Sequence, residues 1–172
     1  MQEAELNLTT IDIPELVLRN ICSYCPEDEE GMVMVYLAKE RGLVVITRQS
    51  TLYLARSLDL GYDALLASAD KAGDLGLDSF NAEFDRLTLE IQRSLDYYDR
   101  YFNQSSVAGI VLAPTEQPIP GLLEYLNSNL GLSASTLDLN QIVSTPQPID
   151  LSHQANCLLA IGAALRQEKK TL

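Results

Sequence analysis

One histidine, His153, is all the sequence offers as an imidazole base, and no Gly-x-Ser-x-Gly elbow accompanies it. Nucleophilic catalysis, which needs a base beside the nucleophile, finds no support in the residues present. Cations are scarce as well: 12 Lys and Arg stand against 24 Asp and Glu, a formal net charge of −12. A phosphate backbone or an anionic lipid surface would be repelled, so neither nucleic acid nor direct membrane insertion is expected. No apolar run approaches the ~20 residues of a membrane-spanning helix. The N-terminus "MQEAELNLTT" lacks a basic and apolar leader. The expectation is a soluble, cytoplasmic chain.

Cysteine is sparse too, and Cys22, Cys25 and Cys157 make no disulfide framework of the secreted kind. Cys22-Ser23-Tyr24-Cys25 has redox spacing, but it closes a predicted helix instead of opening one, where the dipole works against a low thiol pKa. His153 and Cys157, one helical turn apart, would complete four zinc ligands. Without a second Cys-x-x-Cys, ordinary thiols and no metal are expected.

What the sequence does contain is globular. Of its 172 residues 47% are hydrophobic and 21% charged, enough for one domain or one domain with a fragment of another. The acidity is uneven. Residues 1–31 hold Glu3, Glu5, Asp12, Glu15, Glu27, Asp28, Glu29 and Glu30 against Arg19 alone, which leaves room for a basic protein partner.

Leu6 to Ile13 has strand character, and Pro14-Glu15 suits the first turn of a helix carried by Leu16, Leu18, Arg19 and Ile21 to residue 24, at the Cys-Tyr-Cys-Pro stop. Glu27 to Gly31 reads as a solvated acidic loop. "MVMVYLA" and "LVVITRQ", joined by Lys39-Glu40-Arg41-Gly42, read as a hairpin, and "STLYLARSL" as a third strand. A short helix over Tyr62–Ala69 and a Gly- and Asp-rich linker follow. A long helix is expected from Asp78 or Ser79, its buried stripe running through Phe80, Phe84, Leu87, Ile91, Leu95, Tyr98 and Phe102. Arg86 with Glu90, and Asp96 with Arg100, stand four apart on its wet side, and Tyr97 lies off the stripe. "VAGIVLA" is a buried strand, "IPGLLEYLNSNLG" a helix ending at Gly131, and "SASTLDL" another strand. The last helix should be capped by Ser152, with Gly162 allowing close approach to the sheet.

From Met32 the order is β-β-β-α-β-α-β-α, which predicts an α/β fold: an antiparallel meander joined to parallel strands by right-handed crossovers. This is the order of the ribonuclease H-like unit found in each half of actin-like ATPases. Residues 1–26 are expected to be the closing strand and helix of an upstream half-domain, and residues 27–172 the actin-like (ribonuclease H-like) domain.

"TTIDIPELVLRNI", the hairpin and third strand to Gly61, "EIQRSLDYYDRYF", "IVLAPTEQPIPGLLEYLNSNLGL" and "LLAIGAALR" together resemble the C-terminal half of actin-like pilus-assembly proteins of the PilM type, in their MSHA-pilus branch. The resemblance implies a non-enzymatic cytoplasmic scaffold of type IV pilus assembly, held at the inner membrane by a bitopic partner similar to PilN. That partner's basic tail docks, in the family, mainly on the half outside this sequence. Two other readings share the fold: a slow ATPase completed by an N-terminal half, and the cytoplasmic domain of a type II secretion platform protein.

In nucleotide-binding members the loop matching residues 113–121 is glycine-rich, because only glycine lets backbone approach a ligand closely at positive φ. Here Ala113, Pro114 and Thr115 stand at those glycines, and Pro114 has no N–H to donate. Pro120-Gly121 is kept, and starting a helix explains it equally well. The second phosphate loop is expected just before the hairpin, where Glu27–Glu30 would repel a triphosphate. A degenerate site with no cofactor is the expectation. A two-metal nuclease needs converging carboxylates, and "MVMVYLA" and "VAGIVLA" carry none.

Overall fold

The structure, a computed structural model, describes residues 10–75 and 81–167. Its elements are α1 (Pro14–Cys22), β1 (Met32–Leu37), β2 (Gly42–Arg48), β3 (Thr51–Leu58), α2 (Tyr62–Leu75), α3 (Ala82–Tyr101), β4 (Gly109–Leu112), α4 (Leu122–Leu130), β5 (Ser133–Thr136) and α5 (Leu151–Ala164). Short 3-10 helices lie at Pro26–Glu29 and Leu139–Gln141.

The strands form one mixed sheet in the order β3-β2-β1-β4-β5. β1 pairs antiparallel with β2 and parallel with β4, with Met32 opposite Gly109, and β5 runs parallel to β4. Central strands covered on both faces need apolar residues at every position. β1 supplies them: Val33 and Val35 join one buried cluster with α2, α3 and α4, while Met32 and Met34 join the other with α1 and α5. This is the α/β architecture that the order of elements predicts.

Several local expectations change. Of the strand expected over Leu6–Ile13, residues 6–9 lie outside the described residues, and residues 10–13 form no strand. α3 begins at Ala82 under Asn81, whose side chain accepts the Phe84 N–H at 3.1 Å. Asp78, Ser79 and Phe80 lie outside the described residues. Asn81 serves because its Oδ1 also accepts the Ser68 hydroxyl at 2.6 Å, tying the cap to α2. α2 continues six residues past Ala69, so part of the expected linker is helical. The stripe itself is as read: Phe84, Leu87, Ile91 and Tyr98 are buried, Leu95 and Phe102 pack against them, and Tyr97 is exposed. The i,i+4 pairs on the wet side do not form. Glu90 takes Arg93 at 2.5 Å and Arg56 of β3 at 3.6 Å, and Arg86 takes Glu83 at 3.7 Å.

α5 is capped by Asp150, not Ser152: its carboxylate accepts the His153 N–H at 3.0 Å. Gly162 faces α1, not the sheet. A Cβ there would lie 2.7 Å from both Val17 Cγ1 and the Val17 carbonyl oxygen. The two helices cross on that glycine, and the buried Asn20 side chain donates to its carbonyl at 3.0 Å.

Cys22 and Cys25 sit at the end of this α1 layer and are buried, while Cys157 is exposed on α5. Burial pushes both inner thiols up, Cys25 to about 12 with help from Glu27 and Asp28. A thiol-labelling reagent should therefore modify Cys157 quickly in the native protein, and Cys22 and Cys25 only on unfolding. Fast labelling of all three would mean that the end of α1 is open.

Candidate functional site

In open α/β sheets ligands bind beyond the carboxyl ends of parallel strands. In this sheet that edge lies past Leu37 and Leu112, where the β1–β2 turn (Ala38 to Arg41) meets the loop from Ala113 to Gly121. Ala113 is only 3% exposed, and its N–H is spent on the Val35 carbonyl at 2.8 Å. Pro114 is buried and has no N–H. Thr115 turns its hydroxyl back onto the Gln117 carbonyl at 2.8 Å. The first two backbone positions of the loop thus offer a ligand no donor.

Pro120 and Gly121 feed α4. Leu122 N–H reaches the Ile119 carbonyl at 3.3 Å, and Gly121 has φ 75°. Pro followed by Gly is the composition such a turn requires. A Cβ on Gly121 would meet nothing within 4 Å, so the positive φ, not a close approach, accounts for the glycine.

The β1–β2 turn is held from the other side by Gly61. A Cβ there would lie 2.4 Å from the Lys39 carbonyl oxygen and the Glu40 carbonyl carbon. The turn's carbonyls in turn cap α2: Tyr62 N–H donates to Ala38 at 2.8 Å and Asp63 N–H to Lys39 at 3.0 Å. The first two N–H groups of this helix are therefore already bonded.

The acidic run is not part of this edge. Glu27–Glu30 precede β1, and the Ala108 N–H bond to the Gly31 carbonyl at 2.7 Å fixes that end of the strand beside the start of β4. At about 3.3 Å per residue, the length of β1 separates the run from Ala113 by roughly 15–20 Å. The element facing the 113–121 loop is Lys39-Glu40-Arg41, and the charge argument from Glu27–Glu30 falls away. The run is solvated only in part: Glu29 and Glu30 are exposed, but Asp28 is not. Asp28 is buried in the 3-10 helix, its carbonyl accepts Gln49 N–H at 2.8 Å and its carboxylate Ser50 N–H at 2.6 Å. Gln49 and Ser50 both have positive φ, so Asp28 clamps a strained β2–β3 turn.

Two small cavities flank the loop. One, about 80 Å³, is lined mainly by apolar side chains such as Leu37, Leu112, Ile119 and Leu122, with Thr115 and Thr136 beside them. The other, about 180 Å³, is lined by Tyr36, Lys39, Tyr62, Glu116 and Asn156 among others. Both fall below the ~300 Å³ at which small-molecule pockets begin. Lys39 and Tyr62 were not singled out from sequence. Pairing a predicted hairpin with a parallel β4 would have brought the turn beside the loop.

Among the described residues no group of three His, Cys, Asp or Glu side chains is placed to hold a metal ion. His153 instead pairs its Nδ1 with Asp150 at 2.6 Å on the surface of α5. Asp138 and the buried Gln154 join the loops around α5: Gln154 accepts Leu139 N–H at 2.7 Å and donates to Asp138 at 2.8 Å. The bond from the Asn140 N–H, then that from Gln154, holds Asp138 below the usual carboxylate range, and the His153 N–H does the same for Asp150. Depressed carboxyls stabilise the fold above their ordinary pKa near ~3.9, and that contribution is lost as pH falls through the lower folded value. Asp138→Asn and Asp150→Asn should accordingly lower Tm at pH 7 and have a smaller effect near pH 2.5. An unchanged difference at both pH values would contradict this account.

No protein-family model and no curated protein matches the chain. Among solved structures it is similar to the "PilM-PilN type IV pilus biogenesis complex", with TM-score 0.63 and 19% identity over 95% of this chain and 54% of that one. It is also similar to the ethanolamine utilization protein EutJ from Carboxydothermus hydrogenoformans, with TM-score 0.51 and 12% identity over 88% of this chain and 52% of that one. The chain thus spans about half the length of the solved proteins it matches. At these identities the likeness shows the fold, which is actin-like.

Proposed function

We propose that the chain is the C-terminal half of a PilM-like scaffold of type IV pilus assembly, nearest the MSHA pilus protein MshI, and that it binds protein partners without turning over nucleotide. The observation that carries the non-enzymatic part is the β4–α4 loop. Where a nucleotide site needs free backbone donors, Ala113 has spent its N–H and Pro114 has none. The partner part is supported by the fold shared with PilM in its complex with PilN. In this reading the protein lies on the cytoplasmic side of the inner membrane and is held there by a PilN-like bitopic protein. Among the described residues no helix is long and apolar enough to cross a membrane.

One observation favours the slow-ATPase reading. Lys39, not the acidic run, borders the crevice beside the loop, and a lysine is the usual point charge for a phosphate. ATP with Mg²⁺ at about 1 mM, which detects binding of only ~4 kcal/mol, should neither raise the Tm of the full-length protein nor be hydrolysed. The same protein should co-purify with a PilN-like inner-membrane protein. Saturable stabilisation by ATP, abolished by Ala113→Leu, would establish the ATPase reading instead.

A further inference from the structure

We propose that two copies of the chain pair through β3, edge to edge and antiparallel, to make one continuous sheet. The two edges of the sheet are treated differently. β5 is guarded: the Asn127 side chain accepts the Ala134 N–H at 2.8 Å and donates to the Ala134 carbonyl at 3.5 Å, which denies both to an incoming strand. β3 is the opposite edge, eight residues long against the four of β5.

The outward groups of β3 follow from its turn. Gln49 and Ser50 have φ 49° and 61°, the two-residue turn of a type I′ hairpin, so Arg48 and Thr51 flank it as a hydrogen-bonded pair. From there the register passes the bulge at Tyr53 and sets Ala55 opposite Val45 and Ser57 opposite Leu43. Both fall at non-hydrogen-bonded positions, where N–H and C=O point away from β2. Both residues are exposed, and among the described residues nothing bonds these groups. Arg19 and Arg86 reach backbone carbonyls only at Ser50 and Asp59, just beyond the two ends of the strand.

A row of unpaired backbone groups fits one kind of occupant, another extended strand. The β3 of a second copy is such a strand, with the same spacing and the same open edge. Charge favours it as well. The chain carries −12, but β3 has no acidic residue, and its one cation, Arg56, is paired with Glu90 at 3.6 Å. Neither strand brings an unpaired charge to the contact. The proline or lysine that blunts many natural edges is missing from β3. The bulge at Tyr53 twists the first part of the strand away and confines pairing to Leu54–Leu58.

Sedimentation velocity of the 172-residue chain should show a reversible monomer–dimer equilibrium with a midpoint near ~100 µM, as suits a small interface. Because both copies are acidic, added salt should strengthen the dimer by screening their net repulsion. Amide hydrogen exchange at Ala55 and Ser57 should be fast in the monomer and slow as the dimer forms. Ala55→Lys places a charge on an exposed side chain of the edge, and Ser57→Pro removes one outward donor where edge strands accept proline. Each should weaken the dimer at least about ten-fold and leave the Tm of the monomer within a few degrees. A chain that stays monomeric, exchange at Ala55 and Ser57 that ignores concentration, a dimer that salt weakens, or one that these variants leave intact would each overturn the pairing. So would protection of those amides only on adding the inner-membrane partner proposed above, which would assign the edge to that protein. The pairing does not depend on the pilus reading, whose failure would appear separately as loss of co-purification or as ATP turnover.

Discussion

Ile91→Ala is expected to destabilise the protein by about 2–5 kcal/mol in urea unfolding. Ile91 lies on the inner face of α3 and is 0% exposed, packed among Phe84, Leu87 and Tyr98 of its own helix and the β1–β2 side chains beneath. Truncation removes its transfer free energy and leaves a void that a helix pinned between the sheet and α4 cannot close. Arg93, two residues on, is exposed and among the described residues pairs with Glu90. Surface pairs of this kind contribute little, so Arg93→Ala should change stability by well under ~1 kcal/mol. Equal midpoints for the two variants would mean that α3 does not present the face its periodicity indicates.

Gly162→Leu is expected to cost about 3 kcal/mol or more, at the upper end of what overpacking does. The Cβ alone would stand 2.7 Å from the Val17 carbonyl oxygen, which is backbone and cannot step aside as a side-chain end can. Leucine would force α5 away from α1, breaking the Asn20 bond to the Gly162 carbonyl and leaving a buried amide without a partner. Gly162→Ala meets the same wall with less volume and should lose less. If Gly162→Leu melts with the wild type, α1 and α5 do not cross at this position, and the packing of residues 14–22 on the sheet would need revision.

Both expectations rest on positions that the sequence marks unequally. Ile91 belongs to a period that runs through the whole of α3, and a repeated spacing of apolar residues is readable without knowing what lies opposite. Gly162 is a lone glycine in a helix that is apolar nearly all round. The sequence suggests that something approaches it closely, but which element does so depends on the crossing of two helices whose contacting residues Asn20 and Gly162 are 142 positions apart. The Arg86–Glu90 spacing shows the same limit, since Arg56 on β3 competes for Glu90 and does so only once the sheet has formed.

The sequence alone determined the element order, the buried central strands, the α3 stripe and the missing glycines at Ala113, Pro114 and Thr115. Each of these is local: strand and helix periods, turn chemistry and the absence of a side chain are written within a few residues. The tertiary structure alone decided what faces the β4–α4 loop. The parallel register of β1 with β4 carried Glu27–Glu30 to the far edge of the sheet and brought Lys39 and Tyr62 to the near one. Strand direction and register are set by which faces are buried against distant elements. The chemistry of the crevice is therefore a property of the sheet as a whole and of no single stretch of chain.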